Sequence, residues 1–209
     1  MTGPARARFT PAASTGTSLG RRVWEVLRDG GPVALWFKVV GELGYRRLWI
    51  YETELARLTA RPVRAACDFE WIDERSAVDF ASLVPWATPE TAGERLAEGQ
   101  IGLLGRIDGR PVCSAWTALE TVKIDYLGVR ISMRRGAAYM YEVFVAPEAR
   151  RLGLGWASTL IRARESRDRG CTDGVSLVMP ENRPGVELTL SLGYRRVGTL
   201  RRLRLPGRT

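Results

Sequence analysis

The sequence predicts a mixed α/β (α+β) fold, because two patterns of a strand followed by a helix and one β-hairpin pattern lie between residues 100 and 194. Residues 139–161 (YMYEVFVAPEARRLGLGWASTLI) alternate like a strand as far as Val145 and then turn through two glycines into a helical run. Residues 100–117 form two apolar runs around Asp108-Gly109, a dipeptide that favours a β-hairpin. Residues 175–194 (VSLVMPENRPGVELTLSLGY) again read as a strand followed by a short helix. At 209 residues the chain is long enough to bury one sizeable core, so we expect one main domain.

The composition excludes several kinds of chemistry. The chain has no histidine, which excludes Ser-His-Asp and Cys-His catalysis, and we expect no metal site. Its three cysteines lack C-x-x-C spacing and predict reduced thiols in a cytoplasmic protein. The net charge of +9 comes almost wholly from arginine, which fits either an anionic partner or a biased codon usage. No basic and aromatic motif accompanies the charge, so we expect no nucleic-acid partner.

The N-terminal quarter predicts an addition to the main domain, which we place at residues 65–209. Residues 1–18 lack the apolar stretch of a secretory signal and are expected to form a tail. Residues 19–64 are predicted to form an extension of helices and one strand, Tyr45–Leu55. Segment 33–49 is too short and too interrupted to span a bilayer. Packing of this segment on the main domain or on a second subunit, as in a homodimer, is favoured over peripheral contact with a membrane.

The main domain continues with predicted elements in a regular order. They are a strand at Cys67–Ile72, helices at Glu74–Leu83 and Pro89–Glu98 with Thr88 as N-cap, the hairpin, an additional strand at Tyr126–Met133, the strand from Ala138, a helix ending at Gly170, a strand at Val175–Val178, a helix at Glu187–Ser191 and a strand at Tyr194–Leu205. The helix before Gly170 carries six charged residues, beginning with Arg162, and these are predicted to form a solvated face.

The glycine turn after Val145 has the features of a phosphate-binding loop. Gly153 and Gly155 allow a tight turn at a helix start, whose amides and dipole attract anions, and Arg150 and Arg151 add full charges. A P-loop is excluded, since Trp156-Ala157 follows Gly155 where Lys and Ser or Thr are required. A dinucleotide fingerprint is disfavoured because Ser158 stands in place of its third glycine.

The pattern Val145-x-Pro147-x-x-Arg150-x-x-Gly153-x-Gly155 instead resembles the acyl-CoA pyrophosphate loop of the GCN5-related N-acetyltransferase (GNAT) superfamily. Block 175–194 resembles that superfamily's later motif, with Asn182 at its usual spacing before Gly193-Tyr194. The resemblance covers about residues 69–205. It implies a central mixed sheet of six to seven strands, with helices on both faces and a splayed pair formed by the fourth and fifth strands. It also implies binding of acetyl-CoA.

The resemblance also assigns the site residues. Backbone amides at Val143, Phe144 and Val145 would meet the pantetheine arm and the acyl oxygen, and Asn182 would hydrogen-bond the same arm. The pyrophosphate would meet residues 150–156, which are Arg150, Arg151, Leu152, Gly153, Leu154, Gly155 and Trp156.

Four residues are weighed as catalytic candidates. Glu142 lies on the strand before the loop, near where many members of the superfamily keep an acid, and is the candidate base; a structural pairing with an arginine is the equal alternative. Tyr141 and Tyr139 are rival polar groups. Many members place a tyrosine four residues before the glycine of the Gly-aromatic pair, here Gly193, as acid toward the thiolate. Here that position is Thr189, whose hydroxyl is a far weaker acid.

The sequence therefore predicts an acyl-CoA-dependent N-acyltransferase that uses acetyl-CoA and a small primary amine, such as an amino sugar or an amino acid derivative. Because Thr189 departs from the pattern, a catalytically weak or inactive module that binds CoA or a partner is the alternative.

Overall fold

The computed structural model describes residues 45–59 and 62–203, which form nine β-strands and four α-helices. The strands are β1 Tyr45–Glu54, β2 Asp68–Trp71, β3 Ile101–Ile107, β4 Arg110–Ala118, β5 Thr121–Ile124, β6 Val129–Ser132, β7 Ala137–Val145, β8 Asp173–Val178 and β9 Arg195–Leu203. The helices are α1 Ala77–Leu83, α2 Pro89–Ala97, α3 Leu154–Asp168 and α4 Arg183–Ser191. One-turn 3-10 helices at Leu55–Arg57 and Pro147–Ala149 follow β1 and β7.

Seven strands form one mixed sheet in the order β2-β3-β4-β7-β8-β1-β9. The pair β7 and β8 is parallel, and the other neighbours are antiparallel. Parallel neighbours need a long crossover, and α3 supplies it here. The sheet therefore matches the predicted mixed sheet of six to seven strands.

The helices cover both faces of this sheet, as predicted. The ring of Trp116 on β4 packs edge-on against Phe80 of α1, with the centroids 5.4 Å apart. The next residue, Thr117, accepts a hydrogen bond from Arg162 of α3. Successive residues of a strand point to opposite faces, so α1 and α3 lie on opposite sides of β4.

Strand β1 lies inside the sheet, which differs from the sequence-based expectation of an addition outside the core. It pairs with β8, for example Trp49 with Val178, and with β9, for example Tyr45 with Leu203. Tyr51 at its centre is 2% exposed. The strand itself was predictable from its aromatic and β-branched residues, whereas its two neighbours are distant in sequence and leave no local pattern.

The local turn and cap signals are confirmed. Asp108 and Gly109 have φ of 50° and 76°, as a tight hairpin turn with the twist of its strands requires. Thr88 caps α2 and accepts from the Thr91 amide at 3.2 Å, while the Thr91 side chain accepts from the Thr88 amide. The predicted extra strand near residue 129 is β6, which pairs with β5 in a separate two-stranded sheet.

Two sets of predictions fall outside the described residues: the tail at 1–18 and the helical part of the extension, including residues 33–44 of the proposed contact segment. Within the described ranges, no helix is both long and apolar enough to cross a membrane. The same ranges contain no group of three or more Cys, Asp or Glu residues placed to hold a metal ion.

Candidate acyl-CoA and acceptor cleft

Strands β7 and β8 part after a short parallel contact, and a cleft of about 620 Å³ opens between them. The register pairs only residues 137–139 with residues 173–175. Beyond Tyr139 the two strands diverge, and Val143 faces Ser176–Val178 across the gap. We call this space the cleft. The splayed pair that the resemblance implied is therefore present in the structure.

A β-bulge bends β7 at the middle of the cleft. The pairing with β4 runs Trp116 with Tyr141 and then Ser114 with Phe144, so two residues of β7 face one of β4. Glu142 occupies the bulge with φ of 49°, in the left-handed region that is costly for a residue with a side chain.

The backbone after the bulge turns its polar groups toward the cleft. The Ala146 amide donates to Val112 O at 2.8 Å, which makes these two residues a hydrogen-bonded pair across β4 and β7. The next pair, Cys113 with Val145, is then a non-hydrogen-bonded one, so the Val145 amide points away from β4. By the same alternation the Val143 amide points into the gap. The sequence analysis assigns three amides to the pantetheine arm, and two of them therefore point into the gap. The third, that of Phe144, points toward β4 by the same alternation, because Phe144 pairs with Ser114.

Helix α3 begins beside this edge of the cleft with a glycine in the left-handed conformation. Gly153 is the N-cap with φ of 88°, and the first intrahelical bond is from the Ala157 amide to Gly153 O at 3.0 Å. The amides of the first helical turn, including those of Leu154 and Gly155, have no intrahelical acceptor. The first turn has no acidic residue, and Arg150 and Arg151 are exposed beside it. This helix start is therefore electropositive.

Close packing explains the second glycine of the loop. A Cβ on Gly155 would lie 3.2 Å from Leu188 Cδ2 on α4 and 3.6 Å from Val143 Cγ1 on β7. Gly155 therefore lets α3 approach both elements that line the cleft. A Cβ on Gly153 would face Pro62 O at 3.3 Å, so the segment after residue 61 covers one side of the loop.

The side chains of the loop serve mainly in packing. Leu154 is 1% exposed, and Leu152 packs against the same buried cluster. The indole Nε1 of Trp156 donates to Ser191 Oγ at 3.2 Å and links α3 to α4. Arg150 Nε donates to Val145 O at 3.4 Å. Any contact of Leu152, Leu154 or Trp156 with a phosphate would have to come from the main chain.

Asn182 and Thr189 line the wall of the cleft opposite β7, and both make bonds within α4. Asn182 Oδ1 caps the helix by accepting from the Gly185 amide at 3.1 Å. The Thr189 hydroxyl donates to Gly185 O at 2.7 Å, and the residue as a whole is 7% exposed. The only hydroxyl proton of Thr189 is thus already in use, which argues against its role as an acid.

Glu142 is held by an arginine that the sequence analysis did not single out. Arg95 on α2 donates from Nη1 to Oε1 at 3.0 Å and from Nη2 to Oε2 at 2.7 Å. Its guanidinium also lies 5.0 Å from the Trp116 ring centroid and 5.5 Å from that of Tyr141. The structural pairing that the sequence analysis left open is therefore present, at the centre of the cleft. A periodicity could place Arg95 on a helix but could not relate it to a residue 47 positions away.

Two tyrosines form a stacked pair on the same wall. The rings of Tyr139 and Tyr141 are parallel, with centroids 5.0 Å apart. Burial raises the pKa of both hydroxyls above the ordinary value of 10.0, so both remain protonated at neutral pH. The Tyr141 hydroxyl is hydrogen-bonded to Gln100 Oε1, and Gln100 is a second residue that sequence reasoning missed.

Arg162 corrects one prediction. It was expected on a solvated face of α3, but it is 1% exposed. Its guanidinium donates to Trp116 O at 2.6 Å, to Ser158 O at 3.2 Å and to the hydroxyls of Thr117 and Thr159, both at 3.4 Å. Burial lowers its pKa to about 10. The charge is tolerated because neutral oxygens surround it, and it fixes the strand that carries Trp116, opposite Tyr141.

The chain is similar to known acetyltransferases in sequence and in architecture. No family model matches it. The chain is 30% identical over 91% of its length to mycothiol acetyltransferase of Thermobifida fusca and spans 58% of that protein. A GCN5-related N-acetyltransferase of Kribbella flavida superposes with a TM-score of 0.52 at 19% identity, over 82% of this chain and 63% of that one. The chain therefore has the fold of the GCN5-related N-acetyltransferases.

Two further acetyltransferase structures extend the comparison. A glucosamine N-acetyltransferase region of a fungal multi-domain β-N-acetylglucosaminidase gives a TM-score of 0.57 at 16% identity, over 83% of this chain and 23% of that one. AAC(6')-Iy, solved in complex with a bisubstrate analog that joins CoA to an acetylneamine, gives 0.51 at 17% identity, over 64% and 94%. The resemblance carried by the two sequence blocks is thus confirmed at the level of the fold.

Proposed function

We propose that this chain is an acyl-CoA-dependent N-acyltransferase, which transfers an acetyl group from acetyl-CoA directly to a primary amine of a small molecule in a ternary complex. The observation that carries the proposal is the cleft itself, which opens where β7 and β8 part. Two of its lining residues, Val143 and Leu188, lie against Gly155 at the electropositive start of α3. One end suits a diphosphate, and the other end is polar and acidic.

The diphosphate of acetyl-CoA would be held by residues 150–156. The first-turn amides of α3 would bind its oxygens, with Arg150 and Arg151 adding charge. Gly153 suits this role because only a residue without Cβ adopts its φ of 88° without strain. The pantetheine arm would then lie in the gap, against the Val143 and Val145 amides and across from Asn182.

The acetyl group would reach the bulge, where the acceptor meets it. The amine nitrogen attacks the thioester carbon, the C–S bond breaks, the nitrogen loses one proton and the sulfur gains one. Glu142 is the carboxylate at this point of the cleft, and each of its oxygens keeps a lone pair besides the one bound by Arg95. We propose that Glu142 accepts the amine proton, directly or through a water, and that solvent protonates the sulfur.

The acceptor end of the cleft favours an amine. Four acidic residues line the cleft, Glu94, Glu98, Asp125 and Glu142, against two basic ones, Arg95 and Lys123. The lining is thus acidic although the chain as a whole carries a net charge of +9. An ammonium ion is drawn to such a site before it loses its proton. The names of the relatives support an amino sugar or a related amine, because they include a glucosamine N-acetyltransferase region and a complex with an acetylneamine analog.

The test is an assay of the purified chain with acetyl-CoA and a panel of amines: glucosamine, glycinamide, L-lysine and putrescine. Transfer releases free CoA, which a thiol reagent detects, and raises the mass of the amine by one acetyl group, which mass spectrometry detects. We expect both signals together with at least one amine. Isothermal calorimetry with acetyl-CoA alone measures cofactor binding separately.

A second candidate is a CoA-binding module with little or no turnover. Two observations favour it: the Thr189 hydroxyl is bonded within α4, and Arg95 occupies both oxygens of Glu142. Binding of acetyl-CoA without release of CoA across the panel would support this candidate and reject the first. Absence of acetyl-CoA binding would reject both.

Cellular setting and assembly also remain proposals. The described residues contain three free cysteines, Cys67, Cys113 and Cys171, which fit the reducing cytoplasm. A homodimer and contact of segment 33–49 with a membrane stay predictions from the sequence.

A further inference from the structure

A row of hydrogen-bonded side chains runs along the cleft wall from Tyr141 to the surface. The Tyr141 hydroxyl is bonded to Gln100 Oε1, and Gln100 Nε2 donates to Glu98 Oε2 at 2.9 Å. Arg130 Nη2 donates to the other oxygen of Glu98 at 2.8 Å. Tyr141, Gln100 and Glu98 all line the cleft, and Gln100 is only 6% exposed.

Chemistry fixes the direction of every bond in this row. The hydrogen bond from Arg130 lowers the pKa of the Glu98 carboxyl, so this group is ionised at neutral pH and can only accept. Gln100 must therefore turn its NH2 toward Glu98 and its oxygen toward Tyr141. Because an amide oxygen cannot donate, the Tyr141 hydroxyl must donate its proton to Gln100, and its own oxygen is left as an acceptor.

We propose that Gln100 is a positioning residue that fixes the Tyr141 oxygen as a hydrogen-bond acceptor for the N–H of the incoming amine. This inference rests on the proposed N-acyltransfer and gives a structural reason why its acceptor is a primary amine. Such an amine, once neutral, has two N–H bonds. One N–H can donate a hydrogen bond to Tyr141 Oη, while the proton of the other N–H is transferred to Glu142. The nitrogen lone pair remains free to attack the thioester carbon.

An alcohol or a secondary amine has one such hydrogen and cannot satisfy both groups. The ring of Tyr139 stacks on the Tyr141 ring, and the guanidinium of Arg95 also lies over that ring. These two contacts hold the Tyr141 ring in place, so its hydroxyl has a fixed position as well as a fixed hydrogen-bond direction. The row thus selects for the number of hydrogens on the attacking atom rather than for the shape of the acceptor.

The experiment compares Tyr141→Phe, Gln100→Leu, the double variant and Glu98→Gln with the wild type. The assay uses acetyl-CoA and the amine of the panel with the highest kcat/KM, and calorimetry measures acetyl-CoA affinity in parallel. Losing one hydrogen bond to the reacting amine should lower kcat/KM for the amine about tenfold in Tyr141→Phe and in Gln100→Leu. Acetyl-CoA affinity should stay within about twofold. The double variant should be no worse than Tyr141→Phe alone.

A swap of the two polar residues supplies the matched control. Glu98→Gln alone frees the Gln100 amide to rotate and should lower kcat/KM. In Glu98→Gln/Gln100→Glu, the carboxylate introduced at position 100 accepts from both Tyr141 and the amide introduced at position 98. The polarity of the hydroxyl is thereby restored, and most of the loss should be recovered. A role in packing alone would show no such recovery.

Three outcomes would overturn the inference. They are wild-type kcat/KM in Gln100→Leu, losses that multiply in the double variant, and no recovery in the swap while the variants remain folded by circular dichroism. If the wild type binds acetyl-CoA but transfers nothing to any amine, the proposed function fails first and this inference falls with it.

Discussion

The Arg95 guanidinium donates two parallel hydrogen bonds to the Glu142 carboxylate, at 3.0 and 2.7 Å, and both residues line the cleft. Both side chains are mostly buried, with 14% and 18% of their surface exposed. A bidentate pair in this setting holds the carboxylate in one orientation. The bulge at Glu142 and the pair with Arg95 together determine where the acid points.

Replacement of Glu142 by glutamine tests whether this acid takes the proton. Glu142→Gln keeps the size of the side chain but cannot accept a proton at neutral pH, so kcat should fall at least tenfold, up to about 100-fold. Acetyl-CoA affinity should not change, because the loop at Gly153 is untouched. The control is Glu165→Gln, which removes a surface carboxylate paired with Arg169 at 2.7 Å. An unaltered kcat in Glu142→Gln would leave Glu142 with a structural role only.

Replacement of Gly153 by glutamate should abolish acetyl-CoA binding, because it places a carboxylate where the diphosphate is proposed to lie. The φ of 88° also strains any side chain, at a cost of about 1–2 kcal/mol. Gly170→Glu is the matched control, since Gly170 has φ of 86° at the other end of α3 with no atom near its Cβ direction. Calorimetry with acetyl-CoA should show loss of affinity in the first variant alone; equal affinities would reject the placement.

Thr189→Val removes the one hydroxyl at the position where many GNAT members carry a tyrosine. Because this hydroxyl donates to Gly185 O at 2.7 Å, we expect kcat to stay within about twofold of the wild type and stability to fall by about 1 kcal/mol. The measurements are steady-state kinetics and urea denaturation. A tenfold loss of kcat without unfolding would restore Thr189 as a group that acts on the sulfur.

Because the Tyr194 hydroxyl is buried, we expect the folded protein to lose stability at alkaline pH. Burial raises the pKa of this hydroxyl to about 12, against about 10 in an unfolded chain. Between these values the folded state binds more protons, so the contribution of Tyr194 to stability is complete below pH 10 and is lost as the pH rises toward 12. The slope is about 1.4 kcal/mol per pH unit for one group.

Tyr194→Phe should remove that slope. Guanidinium denaturation at pH 7, 9, 10.5 and 11.5 compares the variant with the wild type, and the two lower pH values serve as the internal control. The difference in unfolding free energy should be constant at pH 7 and 9 and should shift against the wild type above pH 10. A constant difference over the whole range would contradict the assignment of the raised pKa to Tyr194.

Local chemistry made most of the elements predictable from the sequence. The turn at Asp108-Gly109, the cap at Thr88 and the glycine at the start of α3 are each decided by a few neighbouring residues, and all three lie where expected. The resemblance to the GNAT superfamily supplied the splayed strands, which no periodicity could reveal.

The partners of charged and polar side chains were not predictable. Arg162 lies in a run of charged residues and gave no sign of burial, because its partners are main-chain and hydroxyl oxygens of neutral residues. Arg95 lies in α2 and Gln100 lies just after it, and their partners Glu142 and Tyr141 lie on β7. Such contacts depend on the finished packing of the sheet and leave no spacing rule in the chain.

The interior place of β1 has a consequence for how the protein is made. This strand emerges from the ribosome before the other described strands, yet both of its partners, β8 and β9, belong to the last part of the chain. The backbone groups of β1 can form their inter-strand hydrogen bonds only after residues 173–203 have been synthesised. Contacts between segments so distant in sequence form slowly. Until those residues are made, a strand with three aromatic residues has two open edges, and open strand edges are sites at which one chain can pair with another.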